Sequence, residues 1–137
     1  MKLKFLLITG LGILTLTNAA SAQQDINKFW KNFKTAVVKG DKHTVANLTK
    51  FSLSMPYGVK SVRTKAEFIR RYDKIMNLEA NAKRCFQNAK LEKQGNRYEI
   101  ACTFKSEPES SDNRPIVYYF MRTKTGWKFA GLDNINE

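Results

Sequence analysis

The sequence changes its hydrophobic period once, and that change limits what the chain can fold into. Through the first half, apolar residues recur at three- and four-residue spacing; from Lys83 onward they recur at every second position. A period of 3.6 buries one stripe of a helix, and a period of 2 buries one face of a strand. Helices that come first, followed by strands that do not alternate with them, predict an α+β domain in which helices cover one face of a curved antiparallel sheet. Three helices and about four strands are expected.

Ile26, Phe29, Trp30, Phe33, Ala36 and Val37 form the first stripe, with lysines at 28, 31 and 34 between them. Asp25 is the expected N-cap, and Gly40 the stop. Asp41 then caps a short second helix that turns Val45, Leu48 and Phe51 inward. Pro56 and Gly58 mark the stretch from Ser52 to Lys60 as irregular or briefly extended. Thr64-Lys65-Ala66-Glu67 reads as a capping box, in which the threonine hydroxyl accepts from the Glu67 N–H and the Glu67 carboxylate reaches back to the Thr64 N–H. Phe68, Ile69, Tyr72, Ile75 and Met76 line the helix behind it.

In the second half, Tyr98, Ile100, Cys102 and Phe104 alternate with Arg97, Glu99, Ala101 and Thr103, as in a strand with one wet face. Cys85, Ala89 and Leu91 are read as the preceding strand, joined by a loop over Glu92 to Gly95. That register sets Cys85 directly opposite Cys102. A two-residue Gly95-Asn96 turn would instead oppose Ala89 to Cys102, and the cysteines favour the longer loop. Ser106 to Pro115 is polar and reads as an exposed loop. Ile116 to Arg122 is apolar on both faces, as a central strand would be. Trp127, Phe129, Leu132 and Ile135 make the last strand, with a bulge at Gly131.

The amino terminus carries an address. Lys2 and Lys4, the apolar run from Phe5 to Leu16, and Ala20-Ser21-Ala22 have the pattern of a secretory signal peptide cleaved after residue 22. The apolar run is shorter than the roughly 20 residues of a membrane-spanning helix, so a membrane-spanning chain is not expected. The expected organisation is residues 1–22 as signal and 23–137 as one exported domain, periplasmic or secreted. Loss of Lys2 and Lys4 takes the formal charge from +12 to +10. An exported cation of this size meets anionic envelope polymers and not nucleic acid. In an oxidising compartment Cys85 and Cys102, the two cysteines of the chain, are expected to form a disulfide. Two thiols and the lone His43 do not make a metal site, and no cofactor signature is present.

The order of elements, with Phe29-Trp30…Phe33…Val37, Gly40-Asp41, Glu67-Phe68…Tyr72 and Tyr118-Tyr119-Phe120…Gly126-Trp127-Lys128-Phe129, resembles the nuclear transport factor 2-like (cone-shaped, cystatin-like) superfamily. The resemblance implies a cone whose open mouth is a pocket, and often a homodimer formed through the sheet. It implies no one reaction, because the superfamily includes isomerases, dehydratases, binding modules and accessory domains.

Trp30, Tyr57, Tyr72, Tyr98, Tyr118 and Trp127 are the candidates to line a pocket, although aromatics at such spacing are more often core. Arg63, Arg70, Arg71 and Lys74 are the candidates for an anion-binding patch. Asp73 and His43 fall at positions that face solvent, Glu92 is assigned to a loop, and Glu99 lies on a polar strand face, so no catalytic residue is assigned. The leading expectation is an exported, non-catalytic domain that binds a small molecule or an envelope protein through its cone mouth or sheet. The alternatives are a small periplasmic isomerase or lyase working through His43 or a misplaced acid, and a binder of anionic envelope polymers through the basic patch.

Overall fold

The computed structural model describes residues 17–55 and 61–135. The n- and h-regions of the expected signal and the pocket candidate Tyr57 lie outside the described residues. The elements are α1 (Thr17–Lys39), α2 (Lys42–Asn47), β1 (Thr49–Ser54), α3 (Lys65–Arg70), α4 (Tyr72–Met76), α5 (Ala82–Asn88), β2 (Glu92–Gln94), β3 (Arg97–Cys102), β4 (Ile116–Thr123) and β5 (Gly126–Asn134). The fold is α+β, as expected, with helices packed on one open sheet. That sheet has five strands in the order β1-β5-β4-β3-β2 and is mixed, because β1 runs parallel to β5.

The helical hairpin forms as its caps predict. Gly40, at φ +71, ends α1. Its N–H bonds the Val37 carbonyl at 3.0 Å, and the Asp41 N–H bonds that of Ala36 at 2.9 Å. This is a Schellman closure, which uses two carbonyls that a helix end would otherwise leave bare. Asp41 then caps α2, accepting the Thr44 N–H at 3.0 Å. The start of α1 differs from expectation. Asp25 is no cap, since the helix already begins at Thr17, through a stretch containing Ala19, Ala20 and Ala22 that favours helix. The Asp25 carboxylate instead lies 3.6 Å from Arg122 on β4.

Several other boundaries need correction. Phe51 belongs to β1, not to α2, within a stretch expected to be irregular from Ser52. The third helix is two pieces, broken at Arg71 (φ −103, ψ 9). Thr64 does accept from the Glu67 N–H at 3.2 Å, but the Glu67 carboxylate returns to the N–H of Arg63, at 3.0 Å, and not to that of Thr64. Cys85 lies on α5, capped by Asn81, and not on a strand. The hairpin uses the two-residue turn: Gln94 pairs Arg97 and Glu92 pairs Glu99, so Glu92 is a strand residue. Gly95 supplies the positive φ of +59 at the first turn position, as a tight hairpin of this kind requires. Ile135 falls beyond β5 and is 63% exposed.

β4 is central in the sheet, as its two apolar faces predict, and is buried at Ile116, Val117, Tyr118 and Phe120. Opposite it, β5 carries its irregularity where Tyr119 pairs Gly131 and Phe120 pairs Phe129, leaving Ala130 as the extra residue of a bulge. A Cβ at 131 would overlap the Tyr119 ring, so glycine is what lets that ring lie flat over the bulge.

The disulfide is present: Cys85 and Cys102 are joined, with Cα atoms 5.8 Å apart. It ties α5 to the end of β3 instead of joining two paired strands. Phe86, the next residue on α5, is fully buried and packs against Trp30 and Phe33 of α1 and Tyr118 of β4.

Candidate functional site

The aromatic candidates separate into three groups. Trp30 and Tyr118 join the core through Phe86 (ring centroids 5.6 and 5.2 Å). Around them Phe33, Phe86, Phe120 and Phe129 are each 0% exposed and lie within 5.2 to 5.9 Å of one another in most pairings. Tyr98 and Trp127 meet edge to face at 5.3 Å near the start of α1, where the Tyr98 hydroxyl donates to Gln23 at 3.2 Å. Tyr72 packs on Phe68, 5.9 Å away. Of the described candidates, Tyr118 also lines the apolar mouth described below.

The buried hydroxyl in that interior is committed. Tyr118 donates to the Met76 carbonyl at 2.9 Å, and burial pushes its ionisation far above the ordinary tyrosine range. Tyr72 is pushed up to about 12 by burial, with the nearby Asp73 and Asp41 adding to the shift. Both stay protonated at neutral pH. Thr49 and Asn134 are also buried, as are the Trp127 Nε1 and one Asp133 carboxylate oxygen. His43 and Asp73 are exposed on the first turns of α2 and α4, and Glu99 is half-buried beside Arg97, 3.0 Å away.

Of the basic candidates, Arg63, Arg70 and Lys74 are exposed. Arg71 is spoken for: its Nη1 lies 2.7 Å from Glu67 Oε1 on a half-buried pair. Bonds from the Arg63 N–H and the Arg71 guanidinium hold the Glu67 carboxyl below its ordinary range. An acid therefore sits between Arg63 and Arg71 and divides the expected patch.

At another place the structure brings two of the candidates, Tyr118 and Lys74, together with residues that no motif announces. Behind α4 the chain turns through Asn77 to Ala80 and is fastened at three points, two on the sheet and one on the loop after β3. These are the Tyr118 hydroxyl on Met76, the Lys105 N–H on the Glu79 carbonyl at 2.8 Å, and the Asn134 amide on the Glu79 carboxylate at 3.5 Å. Between this turn, Met55 and the ends of β4 and β5 lies a narrow apolar mouth of about 20 Å³, with Ile75, Leu78 and Leu132 as walls and Lys74 and Glu79 at its edge. That is room for about one water molecule. Leu78 is 51% exposed at its rim, and Ile135, next to the lining residue Asn134, is 63% exposed. This is the open end of the helix-on-sheet layer and the candidate site. The visible sequence signal was an apolar residue just past a helix end, which is too common to be diagnostic.

No helix among the described residues is long and apolar enough to cross a membrane. No protein-family model and no curated protein matches the chain. Solved structures do resemble it. One is a nuclear transport factor 2-like protein with a cystatin-like fold from Novosphingobium aromaticivorans, 16% identical over 90% of both chains, TM-score 0.45. Another is a domain of unknown function with a cystatin-like fold from Nostoc punctiforme, 13% identical over 90% of this chain and 80% of that one, TM-score 0.47. A third is a nuclear transport factor 2-like protein of unknown function from Shewanella oneidensis, 12% identical over 80% of this chain and 95% of that one, TM-score 0.42. They fall in the superfamily that the sequence resembles.

Proposed function

We propose that residues 23–137 form an exported, non-catalytic binding domain whose apolar mouth docks a side chain of a protein partner, after a signal peptide is removed behind Ala22. The observation that carries this reading is the pairing of a filled interior with an exposed apolar rim. A substrate would have to displace Phe86 or Tyr118 to enter the layer, each of which is at most 1% exposed. The free space at the mouth, about 20 Å³, is far below the roughly 300 to 1,000 Å³ of sites that enclose a small molecule. A partner residue laid across Leu78 and Leu132 would bury apolar area there without entering, while Lys74 and Glu79 offer one charge of each sign to its flanks. Desolvated apolar contact inside a polar rim is the arrangement that concentrates binding energy at protein interfaces.

The test is a photo-crosslinking residue placed at 78, compared with one at the exposed position 83, in cells exporting the full chain. A discrete adduct from 78 alone, with a purified partner that binds the wild type and not Leu78→Asp, supports the reading. Equal labelling from both positions refutes it, and an adduct of twice the chain's own mass assigns the rim to a second copy. Intact-mass measurement of the exported product checks the leader: a chain that begins at Gln23 is expected, and one that retains Met1 overturns the export assignment.

A further inference from the structure

The larger depression on the molecule is elsewhere, beside the disulfide. It holds about 220 Å³, against about 20 Å³ at the apolar mouth. Its walls come from α5, from the end of β3, and from the segment 103–114. We propose that this cleft is a second binding site, one that takes a small organic carboxylate with an apolar side chain, as a free acid or as the carboxyl terminus of a peptide.

The charge balance of its walls supports an anion. Arg84, Lys105 and Arg114 line the cleft together with Glu107 and Glu109, but both acids are already engaged. Glu109 is ion-paired with Arg84. The Glu107 carboxylate accepts the Ser111 hydroxyl on one oxygen and the Asn113 amide on the other, each at 3.0 Å. No acid among the described residues pairs with Lys105 or Arg114. A guanidinium fork and an ammonium lining one cleft match the two oxygens of a carboxylate.

The lining supports the apolar part. Ala89, Ala101, Phe104 and the Cys85–Cys102 bridge are among the lining residues and give the cleft apolar surface. At about 220 Å³ the space suits a group the size of one amino acid, below the range of drug-sized pockets. The walls are also held before any ligand arrives. The disulfide fixes α5 to β3, and the Glu107 bonds close the 107–113 turn on itself. A rim that needs no ordering loses less free energy on binding.

The test is an NMR titration of the exported protein with N-acetyl-L-leucine, its amide, inorganic phosphate and a pentapeptide ending in leucine. Saturable shifts at residues 101–105 and 114 with N-acetyl-L-leucine are expected, with a Kd of about 1 to 10 mM as befits one charge-assisted contact on an exposed rim. The amide should bind at least tenfold more weakly. Removing both cations in Lys105→Gln/Arg114→Gln should also weaken binding at least tenfold, whereas Lys28→Gln/Lys31→Gln, with the same change in net charge, should not. Tighter binding of the peptide than of the free amino-acid derivative identifies a chain terminus as the source; equal binding identifies free acids. Absence of saturation, equal binding of acid and amide, equal shifts from phosphate, or equal loss in the two double variants overturns the site.

Discussion

The interior behind α1 and the rim around Leu78 are both rich in large apolar residues, and they behave oppositely. In the interior Phe33, Phe86, Phe120 and Phe129 are fully enclosed: Phe33 packs against Phe29, Phe86, Phe120 and Phe129. At the rim Leu78 and Ile135 stand half or more in water. The difference shows that the aromatic stripe, which gives this sequence its strongest pattern, builds the scaffold. On the proposed reading, recognition falls to residues outside that stripe.

The sharpest way to break that comparison is to hollow the interior. Phe86→Ala should cost about 3 to 5 kcal/mol, because it removes a fully buried ring and leaves a cavity among neighbours that cannot all collapse into it. Urea denaturation of the exported protein measures this. A loss below about 1 kcal/mol would mean that the layer tolerates a void, and the interior would return as a ligand site.

Next in size is the tie that holds Phe86 in place. Cys85 and Cys102 are 17 residues apart in sequence, and a loop of that length corresponds to about 3 kcal/mol in the chain-entropy account. Replacing both by alanine should lower the denaturation free energy by about that amount. Quantitative thiol labelling of the unfolded wild-type chain without reductant would show that the bond does not form.

The same bridge shows how far a sequence can be read. Its pairing was legible, but the strand register offered for it was not the register that occurs. Cys85, Ala89 and Leu91 do fall on alternate positions, yet Ala82 and Phe86 are four apart behind a capping Asn81, and in so short a segment the two periods are indistinguishable without tertiary packing. β1 was missed for a related reason. Thr49, Phe51 and Leu53 alternate with Lys50, Ser52 and Ser54, but Phe51 also lies three residues beyond Leu48 and so fits the helix before it. The caps at Gly40, Asp41 and Thr64 were legible because each acts within a few residues. Met55, Leu78 and Leu132 make a mouth only after the chain has folded, as do Lys105 and Arg114 a rim.

A smaller effect belongs to those local caps. Thr64→Ala should cost about 0.5 to 2 kcal/mol through the lost bond to the Glu67 N–H, with no change in binding at the rim. Asp41 and Glu67 both have carboxyls held below the ordinary range, Asp41 chiefly by the Thr44 hydroxyl and Glu67 chiefly by the Arg63 N–H. A carboxylate of this kind contributes stability above its unfolded value, and the contribution fades as pH falls through the folded one. Stability should therefore decline below about pH 4, and the decline should be shallower in Asp41→Asn and Glu67→Gln than in the wild type. Parallel acid titrations would show that these caps carry no charge dependence.

The smallest stability effect should come from the rim, and that is what makes it informative. Leu78 is 51% exposed, so Leu78→Asp removes little buried area and should change stability by no more than about 0.5 kcal/mol. It also places a carboxylate within the same edge as Glu79, which a docking apolar side chain would have to desolvate at considerable cost. Binding at the mouth should then be lost while folding is kept, the reverse of Phe86→Ala, where folding suffers first. Denaturation, and binding of the purified partner, measured on the same two variants separate the cases. If Leu78→Asp destabilises the chain as much as Phe86→Ala, the rim is scaffold after all; if it leaves both stability and partner binding unchanged, the partner docks on another face.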